Sequence, residues 1–403
     1  MLTGGSTNSF GTCGPTRSIH SQPFRAKARN TTKKENSMRE KGSFSSTVHA
    51  TRASEARTRG SVTAEGEQRA HEGRGLDPLV DPREYGGFRR SHNLLVPDGD
   101  GFRLSFGPAM SVKTGLDTTG SMGGNVEIAF AALPKVHHLL VQGSRAVLKG
   151  YHTQIATAVI QDVVDQFPLQ VSQFEPDNEI DRQMTLLVPE KGGGDAPEDY
   201  QLDLFATAFM TETAITRYGL RGYYFVVGDE VGHSSFTKKL LQRIFGDEAI
   251  ESLGLQKAPS LDEVVERLLR NWHAFYLQVG DDERTTQWWH ERLGANRVVR
   301  LPQTEDLAEV QACIIGLTEG VLDLQSATEF LVEETKISKS GAQRIVAAVS
   351  GIPIGLQTTF PNYGKLPAAG SFFTNREDLW PSEASDSPAP KKAPKPGNID
   401  WKL

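Results

Sequence analysis

Five side chains in three separated stretches stand out as hard oxygen donors. Asp117, Thr119 and Ser121 lie in Asp117-Thr118-Thr119-Gly120-Ser121-Met122. Asp195 lies in Gly192-Gly193-Gly194-Asp195-Ala196-Pro197-Glu198-Asp199, and Asp229 in Gly228-Asp229-Glu230. Carboxylates and hydroxyls with no sulfur among them suit Mg²⁺ or Mn²⁺ in an octahedral, partly hydrated site better than zinc. Hydroxyl ligands are neutral and leave the ion's charge incompletely cancelled. An ion held this way still attracts an acidic group at an open position, so the chemistry predicted is binding rather than catalysis.

For these residues to share an ion, their loops must meet, and the pattern of elements supplies a way. Strands are predicted at 112–116, 154–161, 169–174, 223–227, 274–279 and 297–301, the third antiparallel after the turn near Pro168. Helices are predicted at 122–133, 135–147, 178–187, 200–218, 235–245, 261–272, 283–293 and 305–324, with Pro134 separating the first two. Six strands alternating with helices predict an α/β fold: a doubly wound, mostly parallel six-stranded sheet with helices on both faces. In such a sheet, ligands bind beyond the carboxyl ends of the strands where strand order reverses. Asp117 and Asp229 each close a predicted strand, and the three glycines allow the second loop to approach the first.

Outside this body the composition changes. The 403 residues are 37% hydrophobic with net charge −6, but residues 1–75 hold thirteen Lys/Arg against six Asp/Glu, leaving net −13 for the rest. Residues 1–75 read as a disordered basic leader, too poor in aliphatics to offset ordering entropy. A targeting segment, a free tail and a start codon set too far upstream of Met110 are all open readings of it. Residues 76–110 read as an irregular lead-in, 111–325 as the main domain, 326–351 as a short helical appendix and 352–403 as an extended, largely disordered tail. An acidic body speaks against a nucleic-acid partner, and no apolar run reaches about 18 residues, against a membrane span. Only Cys13 and Cys313 are present, which excludes a disulfide scaffold and suits a reducing, cytoplasmic setting. His137, His138, His152, His233, His273 and His290 form no ligand spacing, and Trp288-Trp289 reads as packing.

At Asp117-Thr118-Thr119-Gly120-Ser121 the chain resembles the von Willebrand factor type A domain, whose metal-ion-dependent adhesion site opens with D-x-[ST]-x-S. The resemblance covers roughly residues 110–325. It implies that Thr119 and Ser121 contact a divalent ion directly, and Asp117 and Asp229 directly or through water. It also implies a scaffolding or protein-binding role without enzymatic activity, engaging a partner's exposed Asp or Glu, in some intracellular members within assemblies of AAA-type ATPases. Many members carry a threonine in the second loop. Here Gly194-Asp195-Ala196-Pro197-Glu198 resembles instead the G-D-x-P-E version of hemicentin-like members and some alpha-kinases. Two readings of Asp195 stay open: a place in the metal shell, or a cap on a helix beginning near Ala196 with Pro197 in its first turn.

Two alternatives remain. Asp-x-Thr-Gly-Ser also resembles the aspartate motif of haloacid-dehalogenase-type phosphohydrolases, with Asp117 as nucleophile, although His233 stands where a further acid is expected and no phosphate-clamping lysine is evident. The other is a degenerate type A domain with no metal. A phosphate-cradling G-x-x-x-x-G-K-[ST] or dinucleotide-binding G-x-G-x-x-G opening a helix after the first strand is missing.

Overall fold

In Tyr223-Tyr224-Phe225-Val226-Val227 every side chain is apolar or aromatic, and alternate ones enter opposite cores. Tyr223, Phe225 and Val227 pack into one, Tyr224 and Val226 into the other. A strand buried on both faces belongs at the centre of a sheet covered by helices on both sides. The computed structural model of the chain, in which residues 61–382 apart from 143, 194 and 195 are described together with a few positions between 45 and 58, places it there. All described residues fall in the compact unit Ser43–Leu403.

The main sheet has six strands, labelled here in chain order: β1 Ala109–Asp117, β2 His152–Ile160, β3 Leu169–Val171, β4 Gly222–Gly228, β5 Trp272–Gln278 and β6 Val298–Arg300. Their spatial order is β6-β5-β4-β1-β2-β3, parallel except for the antiparallel β2–β3 pair. This is the doubly wound arrangement, and strand order reverses between β1 and β4. The carboxyl ends of those two strands carry Asp117 and Gly228-Asp229.

Helices α1 Asn125–Val141 and α5 Leu307–Thr318 cover one face; α2 Tyr200–Phe209 and α3 Leu261–Asn271 cover the other. Helix α4 Glu283–Leu293 follows β5, and its Trp289 joins the second core. Local chemistry sets several boundaries. Ser260 and Glu263 form a capping box at the start of α3, and Asp282 caps α4.

Several elements depart from the sequence reading. Pro134 does not divide the first helix: α1 runs through it, and Pro134 is buried. Packing of Phe130, Leu133, Val136 and Leu140 into the core outweighs the lost hydrogen bond. The predicted 200–218 helix stops at Phe209. Thr211–Glu212 then pairs in parallel with Arg89–Arg90, before a short helix at Ala214–Arg217.

Residues 61–75, assigned to a disordered leader, include the helix Ala64–His71. Gly66 packs so closely on the Leu186 and Leu187 backbone that a Cβ would meet Leu187 O at 2.3 Å. The rest of the leader expectation, residues 1–60, falls almost wholly outside the described residues. In the 76–110 lead-in, buried Arg89 donates to Asp81 O (2.7 Å) and Val171 O (2.9 Å). The 352–403 tail is extended but not free over 352–382. Phe372–Phe373 adds to Gly101–Leu104 as an antiparallel strand, and Gln357 is fully buried. Residues 383–403 lie outside the described residues.

Candidate metal centre

Asp117 ends β1 with its backbone paired to Ile160 of β2, and its side chain is fully buried. A carboxylate at a strand end can turn the chain by accepting from donors two residues on. Here Asp117 Oδ1 accepts from Thr119 N (2.9 Å) and Thr119 Oγ1 (2.6 Å). The turn continues through Gly120–Met122, where Met122 is buried as an anchor and Ser121 faces solvent. Ser121 Oγ lies 3.2 Å from Thr119 Oγ1 and donates to Asp229 Oδ1 at 3.0 Å. Four of the five predicted residues, Asp117, Thr119, Ser121 and Asp229, therefore converge at the point where strand order reverses. The fifth, Asp195, lies outside the described residues together with Gly194.

The second loop reaches the first as its glycines suggest. Gly120 N donates to Gly192 O at 2.7 Å, and Gly193 adopts φ +113°, a conformation suited to glycine. The helix that follows begins at Tyr200, not near Ala196, so Pro197 is outside its first turn. Glu198 N donates to Val231 O (3.0 Å) and His233 N to Glu198 O (2.9 Å), a bridge to the third loop that holds this segment extended. The expected helix start near Ala196 is thereby corrected to Tyr200, while the two readings of Asp195 itself fall outside the described residues.

Sequence reasoning missed three residues at this rim. Tyr200 is fully buried and its hydroxyl donates to Asp117 Oδ2. Its ring meets Tyr276 and Trp289 edge-on at 6.1 and 5.5 Å, which places Trp289 in packing. Gly228 makes room for it, since a Cβ there would come within 2.1 Å of the Tyr200 hydroxyl oxygen. Asp162, two residues past β2, and Glu198 bring further carboxyls beneath the loops. The available signal for Asp162 was its position after a strand adjoining β1. For Glu198 it was an acid inside the glycine-rich loop motif.

Burial dominates the electrostatics. It pushes Asp117 up to about 7 against the downward pull of the Thr119 and Tyr200 hydrogen bonds, and Asp229 adds repulsion. Burial likewise raises Asp229, whose Ser121 hydrogen bond acts the other way. Glu198 rises to about 10 through burial and its Asp117 and Asp162 neighbours. Among the described residues, no Lys, Arg or His forms a salt bridge with Asp117, Glu198 or Asp229. Acids without a cationic partner bear a large desolvation cost, and a bound cation offsets it.

The donor set fits a hard divalent ion: carboxylates and hydroxyls, a solvent-facing side at Ser121, and a buried Glu198 Oε2 with no hydrogen-bond partner. Among the described residues no three His, Cys, Asp or Glu side chains are arranged as a metal-holding group. The centre thus depends on the Thr119 and Ser121 hydroxyls beside its carboxylates. Among the described residues no helix is long and apolar enough to cross a membrane.

No family model matches this chain, and no curated protein matches it. Among solved structures, the proximal thread matrix protein 1 of the mussel byssus with a zinc-occupied MIDAS motif is similar at 10% identity and TM-score 0.32, over 52% of this chain and 48% of that one. The open conformation of the pilus adhesin SpaC from Lactobacillus rhamnosus GG is similar at 9% identity and TM-score 0.36, over 56% and 33%. The chain thus spans about half the length of the byssal protein and a third of the adhesin. At such identities and scores, neither protein's properties extend to it.

Proposed function

We propose that this chain is a divalent-cation-dependent protein-binding module. Asp117, Thr119, Ser121 and Asp229 would hold Mg²⁺ or Mn²⁺, with one coordination position left at the Ser121–Asp229 rim for a glutamate or aspartate of a partner. The ion supplies positive charge that joins the loops and attracts that acid. Asp117 is positioned from below by Tyr200 and from the side by Thr119. Ser121 and Asp229 form the solvent-facing edge. The observation that carries the reading is the hydrogen-bonded chain Asp117–Thr119–Ser121–Asp229, which spans two loops at the reversal of strand order.

The phosphohydrolase alternative loses support from the same geometry. Oδ1 of Asp117 takes two hydrogen bonds from Thr119 and Oδ2 takes one from Tyr200, and the side chain is fully buried. Neither oxygen is presented for attack on a phosphate.

Thermal melting with and without Mg²⁺ or Mn²⁺ tests the proposal. Either ion raises the melting temperature of the wild type, and Asp117→Ala with Ser121→Ala abolishes the rise. Absence of any shift favours the metal-free alternative. Turnover of a phosphate ester that disappears in Asp117→Asn favours the enzyme. A pull-down with and without EDTA then identifies the partner.

A further inference from the structure

A cleft of about 610 Å³ opens at the amino end of the main sheet, the end opposite Asp117. Trp272, the first residue of β5, lines it. Its Ser91–Asn93 wall is pinned to β1: Ser91 Oγ lies 2.7 Å from Ser111 Oγ, and Ala109 N donates to Asn93 Oδ1 at 2.9 Å. The volume is that of a small-molecule site.

Four arginines line this cleft: Arg90, Arg217, Arg267 and Arg376. The three acids beside them cancel only part of that charge. Glu212 pairs with Arg90 at 2.7 Å. Asp378 is turned to its own loop by hydrogen bonds from Thr374 (2.6 Å) and Asn375 (2.9 Å). Glu377 meets Arg217 only at 3.8 Å, with its side chain 88% exposed. Among the described residues neither Arg267 nor Arg376 forms a salt bridge. Arg267 is held instead by Ala208 O (2.7 Å) and the Phe209 ring, and Arg376 lies over the Phe102 ring. Burial and the nearby Arg270 hold Arg267 below the ordinary guanidinium value, and an anion beside it would relieve both. A carboxylate offers two oxygens and a single charge. A phosphate offers three oxygens and more charge, so it can satisfy more than one guanidinium fork at once.

We propose that this cleft binds a small phosphate-bearing anion, with Arg267 and Arg376 as its principal contacts and Arg217 in support. The Glu212–Arg90 pair tempers the positive charge at its edge. The site is separate from the metal centre, and neither reading depends on the other.

The experiment is a calorimetric titration of inorganic pyrophosphate into the full chain, in EDTA and about 0.1 M salt, with citrate as the carboxylate comparison. One pyrophosphate binds the wild type. Arg267→Gln and Arg376→Gln each weaken it at least about tenfold, through loss of a charge-assisted hydrogen bond. Lys339→Gln, the same charge change at an exposed helix position outside the cleft, stays within about twofold of wild type. Glu212→Gln, which releases Arg90, tightens binding at least about twofold. Asp117→Ala/Ser121→Ala binds pyrophosphate as the wild type does, and citrate binds at least about tenfold more weakly than pyrophosphate. No binding by the wild type, or wild-type affinity in either folded arginine variant, overturns the proposal. Should Arg267→Gln unfold through loss of its Phe209 packing, Arg376→Gln decides alone. Equal weakening by Lys339→Gln would reduce the effect to bulk charge, and loss of binding in Asp117→Ala/Ser121→Ala would move the anion to the metal centre; either overturns the cleft. Citrate binding equal to pyrophosphate overturns the phosphate assignment.

Discussion

Asp117 turns the chain out of the sheet at the candidate metal centre, and the residues around it fix its carboxylate. Thr119 closes the turn with its N–H and hydroxyl, and Tyr200 holds the far oxygen. Hydrogen bonds to a charged group contribute more than neutral ones, so above the raised Asp117 value, at about pH 8.5 to 9, Tyr200→Phe costs about 1.5–3 kcal/mol in metal-free protein, measured by urea unfolding. Gly228→Ala acts on the same contact from the other side. Its new methyl has no room beside the Tyr200 hydroxyl, and overpacking of this kind costs about 1–3 kcal/mol. At this scale the sequence was informative where residue type and strand position agreed: Asp117 and Asp229 close adjacent strands, and Ser121 follows at fixed spacing. Glu198 and Asp162 left only a weak signal, a place in the glycine-rich loop motif and a place after the strand beside β1, because an acid in a loop is usually solvated. Only the bridge between Glu198 and Gly232 and the approach of Gly193 show that these two are buried.

Among elements, the β1–α2 contact holds a buried ion pair. Lys113 Nζ donates to Asp203 Oδ1 (2.6 Å) and Thr207 Oγ1 (2.7 Å), and the Tyr224 hydroxyl donates to Asp203 Oδ2 (2.7 Å). Removing one partner strands a charge, so Asp203→Ala costs about 3–5 kcal/mol in chemical denaturation, while Lys113→Met with Asp203→Leu recovers most of it. A second buried acid, Glu319, lies just past α5. It accepts from Tyr223 of β4 (2.6 Å) and from Tyr151 (3.4 Å), with Tyr363 and Gln357 also against it. Burial lifts its carboxyl from the ordinary value to about 7, against the pull of those hydrogen bonds. A raised carboxyl contributes stability that is full below its unfolded value near 4.5 and is lost as pH rises through 7. Glu319→Gln removes that loss. Its stability relative to wild type, followed by urea unfolding, rises between pH 5 and pH 8, and a pH-independent difference would contradict the assignment. Elements with a clear period or cap, such as Glu283–Leu293, were legible in the sequence. The run through Pro134 and the stop at Phe209 were not, because core packing and pairing with Arg89–Arg90 decide them from a distance.

On the scale of the whole molecule, composition separated the acidic α/β body from its flanks but misjudged how much of the flanks it holds. A few anchors suffice. Gln357 donates to Arg221 O (2.9 Å) and lies 2.8 Å from the His273 ring nitrogen, and Trp380 meets Tyr218 edge-on. Anchors this sparse leave no period in a stretch rich in Gly, Pro and polar residues. Ending the chain after residue 351 therefore lowers the melting temperature by at least about 5 °C, whereas an unchanged value would return 352–382 to the status of a loose tail. The doubly wound sheet, by contrast, needed only the alternation of strands and helices, and its order places the donor loops side by side. Whether they share an ion is read most directly by titrating Mn²⁺ into the EDTA-treated chain and into Asp117→Ala/Ser121→Ala. Saturable binding of one ion by the wild type, absent from the double variant, is the predicted result. No binding by the wild type, or equal binding by both, would contradict it.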